Sequence, residues 1–242
     1  MFLCCIISVI YVVSHKREKK EKVVTKNTDT DEVVVDEFES RLSEFKDLYV
    51  SQDDSNKYSG YTVCLDAGHG GNDAGAEGSD GSLEKNQTLK LTYMVKSYLE
   101  SVGINVVLTR TKDEFLSLED RRNIAEEGNV DLLVSIHRNI YEGTEDVNGI
   151  EAWVNNSKPE KSMEIAESIL GQVSVCVEGV NNRGVKWGTM DNVNENYALN
   201  RVSMDSMILE IGFMTSDHDN YLFNLYMEEI AKGIAMGIIN QI

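Results

Sequence analysis

Three apolar runs in this chain each stop at a polar residue, and stretches of helical periodicity separate them. Val63-Cys64-Leu65 leads into Asp66-Ala67-Gly68-His69, Leu132-Leu133-Val134-Ser135-Ile136 ends at His137, and Glu210 interrupts Met207-Ile208-Leu209 before Ile211-Gly212-Phe213. Such runs read as buried strands. Strands alternating with helices imply a single α/β domain, a mainly parallel twisted sheet with helices on both faces. Open sheets of this kind collect ligands at the carboxyl ends of their strands, which is where His69 and His137 fall.

The pattern predicts strands over 61–66, 105–109, 131–137, 149–154 and 206–211, with a short extended piece at 183–187. Helices are expected over 83–101, 118–127, 158–176 and 217–241. Leu91, Met94, Val95, Tyr98 and Leu99 make one apolar helical face, and Gly103 ends that element. Ser117 is placed to cap the next helix, with Glu119 and Asp120 in its first turn where the helix dipole favours acids. Pro159, the single proline, is expected just inside the following helix, where a missing N–H costs nothing.

The 242 residues leave room for one well-buried domain and a tail. Residues 1–22 begin with a 13-residue apolar segment and continue into a basic cluster. That is short of the ~20 residues a membrane-spanning helix needs, so they read as a signal segment or part of a membrane anchor. Residues 23–59, rich in Glu, Lys, Asp, Ser and Thr, read as a polar stalk with a short helix around 37–49, and residues 60–242 as the catalytic domain. The formal net charge of −18 argues against a nucleic-acid partner, which would need clustered Lys and Arg. Cys4, Cys5, Cys64 and Cys176 form no C-x-x-C pair, so neither a cysteine-held metal nor a disulfide framework is indicated. Cys64 lies within a predicted buried strand and makes a poor nucleophile.

The polar residues carry the chemistry. His69 stands among bare backbone in Gly68-His69-Gly70-Gly71, and His137 ends a second strand in the same topological position. Glu84 opens a helix, where spacing alone makes it an ordinary first-turn carboxylate. Glu210 within an apolar strand is costly unless it is paired, metal-linked or catalytic. Two His, one Glu and an open fourth position describe a catalytic zinc centre, and a second glutamate beside it would manage protons, a set suited to amide hydrolysis. Asp66 could orient a metal ligand and Asn139 could bind substrate, although both types have ordinary uses at strand ends and turns. Arg110 and Arg121 are equally suited to internal salt bridges and to a substrate carboxylate.

Five blocks now stand in order: Val63–Ala76, Leu83-Glu84-Lys85, Leu108-Thr109-Arg110, Ser135-Ile136-His137-Arg138-Asn139 and Leu209-Glu210-Ile211-Gly212-Phe213. Together they resemble the zinc-dependent N-acetylmuramoyl-L-alanine amidases of bacterial cell walls (amidase type 3), from about residue 61 to the C-terminus. The resemblance implies that His69, Glu84 and His137 hold Zn²⁺ and that Glu210 is the catalytic general base and acid. It implies peptidoglycan as substrate, cut between N-acetylmuramic acid and the L-alanine of the stem peptide; with the N-terminal apolar segment, an exported envelope protein, anchored or secreted, is expected, as a monomer. Arg138 stands where the family usually has Ala and is expected at the rim of the cleft. The segment between His137 and Glu210 looks too short for the plugging helix that some members carry. A non-catalytic wall-binding module and a metallopeptidase acting within the stem peptide are the alternatives.

Overall fold

The computed structural model describes residues 30–50, 57–143 and 146–242. The expected signal or anchor at 1–22 lies outside them, and no described helix is long and apolar enough to cross a membrane. Helix α1 (Thr30–Tyr49) is longer than the short helix expected at 37–49. The unit Leu42–Ile242 carries the sheet, and within it Phe45 is buried edge-on against Tyr98, their ring centroids 4.8 Å apart.

The remaining elements are β1 (Thr62–Ala67), α2 (Glu84–Ser101), β2 (Asn105–Leu108), α3 (Leu118–Glu127), β3 (Leu132–Asn139), β4 (Ile150–Val154), α4 (Glu160–Cys176), β5 (Asn182–Trp187), β6 (Asp205–Phe213) and α5 (Asp217–Ile239). The strands form one sheet in the order β2-β1-β3-β6-β4-β5. All pairings are parallel except β4 with β6. The exception has a simple cause. The connection from Asn139 to Ile150 is shorter than the dozen or so residues a parallel return needs, and its described residues hold no helix. The chain therefore steps over the exit of β6 and runs β4 downward beside it, which sets Glu151 directly opposite Glu210.

Side chains alternate between the two faces of the sheet. Leu65, Val134, Ile136, Met207 and Leu209 are fully buried on the face where α2, α4 and α5 pack together. The other face carries Cys64, Asp66, Ser135, His137 and Glu210, and its cover is partial. Ala125 of α3 packs on Cys64 and Leu133, while Leu199 packs on Trp153 and Ile208. Helices thus lie on both faces but unequally, and the carboxyl ends of β1, β3 and β6 open onto a cleft.

Local signals explain the helix ends. Ser117 and Asp120 form a reciprocal capping box at α3. Pro159 is the N-cap residue of α4, one position outside the helix rather than just inside it. Helix α5 is bent at Tyr226 and meets α4 through Gly233 and Gly237, which sit against the backbone of Val173 and Ile169. A Cβ at Gly237 would collide with Ile169 Cα. Gly237→Ala is therefore expected to lower unfolding free energy by about 1–3 kcal/mol through overpacking, outweighing the ~1 kcal/mol alanine gains in a helix. Denaturant unfolding of the two proteins measures the difference.

Candidate metal centre and catalytic cleft

His69 leaves β1 with a left-handed backbone (φ 60°), followed by Gly70 (φ 136°) and Gly71 (φ 60°). A non-glycine residue rarely holds this conformation unaided. Two buried arginines hold it. Arg110 donates from Nε to the Ala67 carbonyl (2.9 Å) and from Nη2 to that of Gly68 (3.0 Å). Arg121 donates from Nη1 to the Ala67 carbonyl and from Nη2 to that of His69, both at 2.7 Å.

The loop delivers His69 Nε2 to within 3.1 Å of Glu84 Oε2, and β3 delivers His137 Nδ1 to within 3.1 Å of Glu84 Oε1. The two ring nitrogens are 3.2 Å apart, and one ligand atom from each of the three residues lies within 4.8 Å of the others. Glu84 is buried at the start of α2, where Oε2 accepts from the Ala76 N–H and Oε1 from the Arg138 N–H, each at 2.9 Å. Close approach here depends on glycine. A Cβ at Gly75 would stand 2.6 Å from Glu84 Oε2 and 2.7 Å from His69 Cδ2, and one at Gly68 would run into the His137 ring.

Burial works against charge at all three groups, but their mutual contacts prevail. Hydrogen bonding and charge from Glu84 push His137 up to about 9 and raise His69, while the two imidazoles hold Glu84 well below the usual carboxylate range. A metal-free site thus keeps a proton where three donors converge, and the donor set, two imidazole nitrogens and a carboxylate, fits a metal ion. Glu210 is the Cα partner of His137 on the same face. Its Oε2 is buried with no hydrogen-bond partner among the described residues, and burial above all lifts its pKa to about 7, with Glu84 and Glu151 adding to the rise and His137 opposing it. A cleft of about 120 Å³ adjoins the centre, lined by His69, His137, Phe115, Leu118, Arg121 and Leu199 among others.

A profile of the N-acetylmuramoyl-L-alanine amidase family matches residues 63–240. The chain belongs to that family. The uncharacterized protein YqiI of Bacillus subtilis is 35% identical over 182 residues, which cover 74% of this chain and 84% of YqiI. The N-acetylmuramoyl-L-alanine amidase LytC of the same organism is 31% identical over 188 residues, 76% of this chain but only 36% of LytC. Among solved structures, N-acetylmuramoyl-L-alanine amidase AmiC2 of Nostoc punctiforme superposes with a TM-score of 0.68 at 35% identity, covering 75% of this chain and 97% of that one.

In this amidase-family chain, three of the sequence assignments take different places from those expected. Asp66 does not touch a histidine. It is fully buried and accepts from Thr109 Oγ1 (2.6 Å), Arg121 Nη1 (2.7 Å) and Ser135 Oγ (2.6 Å). Asp66 acts on the His69 backbone only through Arg121, and the carboxylate that meets the His69 ring directly is Asp73, whose Oδ2 lies 2.9 Å from His69 Nδ1. Its signal was the i, i+4 spacing from His69, which the glycine-rich loop made uninformative. Asn139 is buried and committed to Glu151 (3.1 Å) rather than to the cleft. Arg138 is not at the rim. Its guanidinium points to the opposite face, bonds Gln87 and Asn220, and stacks on Phe223 with its carbon 4.2 Å from the ring centroid. Arg110 and Arg121 turn inward, and burial pushes the Cys64 thiol up to about 12, so it is no nucleophile.

Two outcomes are expected. His137, raised from 6.5 to about 9 in the metal-free fold, contributes stability that is complete below its unfolded value and lost as pH rises through the folded one. The melting temperature of chelator-treated protein should therefore fall between pH 6.5 and 9, and that of metal-loaded protein should not follow it. Gly75→Ala should weaken metal affinity by about tenfold or more, since displaced neighbours of metal ligands typically cost 10–100-fold; competition with a chromophoric chelator measures it.

Proposed function

We propose that this protein is a zinc-dependent N-acetylmuramoyl-L-alanine amidase that hydrolyses the amide between the lactyl group of N-acetylmuramic acid and the L-alanine of the peptidoglycan stem peptide. The observation that carries the reading is the convergence of His69 Nε2, His137 Nδ1 and the Glu84 carboxylate beside an unpartnered carboxylate oxygen of Glu210. His69, Glu84 and His137 would hold the ion. Zinc supplies Lewis-acid polarisation of the amide carbonyl and makes water acidic enough to act as a nucleophile near neutral pH.

The chain's own residues do the rest. Glu210, with a pKa near 7, takes a proton from the attacking water and returns it to the departing alanine nitrogen, so one carboxylate serves as base and then as acid. Asp73 holds His69 Nδ1, which leaves Nε2 free for the ion. The Ala76 and Arg138 N–H groups keep Glu84 ionised and aimed at the centre. The same reading takes residues 1–22 as an export or anchoring segment, 23–59 as a stalk and 60–242 as the catalytic domain, in a monomer placed in the cell envelope.

The test is metal analysis together with mass spectrometry of muropeptides digested by wild type and by Glu210→Gln. Wild type is expected to bind about one zinc and to release stem peptides with a free N-terminal L-alanine. Glu210→Gln is expected to keep the zinc and lose about 10²–10⁴-fold in rate, the usual share of general acid–base catalysis. Cleavage inside the stem peptide would replace this reading with a metallopeptidase, and zinc binding with no cleavage would leave a wall-binding module.

A further inference from the structure

Glu151 lies directly opposite Glu210 across the antiparallel β4–β6 pair, so the two carboxylates share a face. Their situations differ sharply. Glu151 is buried, and both its oxygens are used: Oε1 accepts from Trp153 Nε1 (3.0 Å) and Asn139 Nδ2 (3.1 Å), and Oε2 from Arg183 Nε (2.7 Å) and Lys186 Nζ (2.6 Å). Two cations on one carboxylate leave one positive charge uncompensated. Arg183 Nη1 also donates to the Asn148 carbonyl (3.4 Å), which leaves Nη2 and part of the Lys186 ammonium without an acceptor among the described residues. Those side chains are 29% and 33% exposed, so the spare charge faces solvent on the side of the sheet that carries Glu210. Aromatic rings limit their motion, Phe213 with its centroid 5.1 Å from Arg183 Cζ and Trp153 with its centroid 5.3 Å from Lys186 Nζ.

The surroundings give this pair its meaning. Neither cation lines the cleft beside the histidines; they lie on the same face of the sheet, beyond Glu210 toward the β5 edge. Arg121, which lines the cleft, spends all three guanidinium nitrogens on Leu116, Asp66, Ala67 and His69, and Arg138 points to the other face. On the β2 side of the metal centre the wall is apolar, with Phe115 and Leu118 about half exposed. Charge is therefore available on the β5 side. The carboxyl of muramic acid is consumed in the scissile amide, so a substrate of this kind carries its nearby free carboxylates on the peptide.

We propose that Arg183 and Lys186, held by Glu151, form a subsite that receives a carboxylate of the stem peptide and so lays the peptide over β4 and β5 with the glycan toward Phe115. The proposal rests on the amidase reading. The buried glutamate pre-orders the two cations, which lowers the entropy lost when a carboxylate arrives, and an arginine with free N–H groups suits a carboxylate's two oxygens.

The test uses zinc-loaded protein and two synthetic muramoyl peptides that differ only in a free carboxylate or a carboxamide on the second stem residue. Wild type is expected to favour the carboxylate by about tenfold in kcat/KM, the size of one charge-assisted hydrogen bond, expressed mainly in KM. In Arg183→Gln and Lys186→Gln the ratio should fall toward one, and Arg183→Lys should recover part of it. A wild-type ratio near one overturns the proposal. So does an equal loss on both substrates with a lowered melting temperature, which would make the cluster a brace for the sheet edge. If wild type cuts neither peptide, the amidase reading fails, and equilibrium binding of the same two peptides to wild type and variants then decides the subsite by the same ratio.

Discussion

The buried Asp66 carboxylate is the contact on which the centre depends. It joins β1 to the end of β2 through Thr109, to β3 through Ser135 and to α3 through Arg121, all at 2.6–2.7 Å. Burial opposes its ionisation, but Arg121 and the two hydroxyls hold its pKa below the usual range. Arg121, neutralised there, is free to spend its other N–H groups on the carbonyls that shape the left-handed turn at His69. A buried ion pair of this kind adds little net stability over apolar packing, yet removing one partner costs roughly 3–5 kcal/mol. Its value is geometric, because it sets the angle at which the first imidazole enters the cleft.

Two glutamates facing each other across one strand pair show how environment assigns roles. Glu151 is ion-paired, doubly hydrogen-bonded and held below its ordinary pKa, while Glu210 has an orphan oxygen and is raised to about 7. Glu151, not Glu210, is the carboxylate that Arg183 and Lys186 bond. A cation bonded directly to Glu210 would hold it ionised and make it a weaker base. Paired carboxylates whose surroundings push their pKa values apart are a common signature of acid–base work.

Arg138 shows where reading residues in line reaches its limit. Its neighbour His137 faces the cleft, and alternation along β3 sends Arg138 to the helical face, where Gln87, Asn220 and the Phe223 ring surround it. The backbone N–H of the same residue still serves the site by bonding Glu84. The expectation of a rim position came from the resemblance, because Arg138 stands where the family usually has Ala. Strand geometry alone contradicts that, and only the helices packed beneath make the buried position tolerable.

Strand and helix identities, the carboxyl-end positions of His69 and His137 and the conspicuous Glu210 were legible in the chain, because hydrophobic period and glycine placement are local properties set by backbone sterics and burial. The amino-acid pattern also carried the family resemblance through five ordered blocks. The antiparallel entry of β4, the pairing of Glu151 with Glu210, the roles of Asp73 and Asp66 and the inward commitment of Asn139 were not legible. Each depends on which distant segment lies alongside, as when Asp66 meets Arg121 and Ser135. Such partners are chosen by sheet order and helix packing, which sum many weak long-range contacts and leave no mark on any one stretch of sequence.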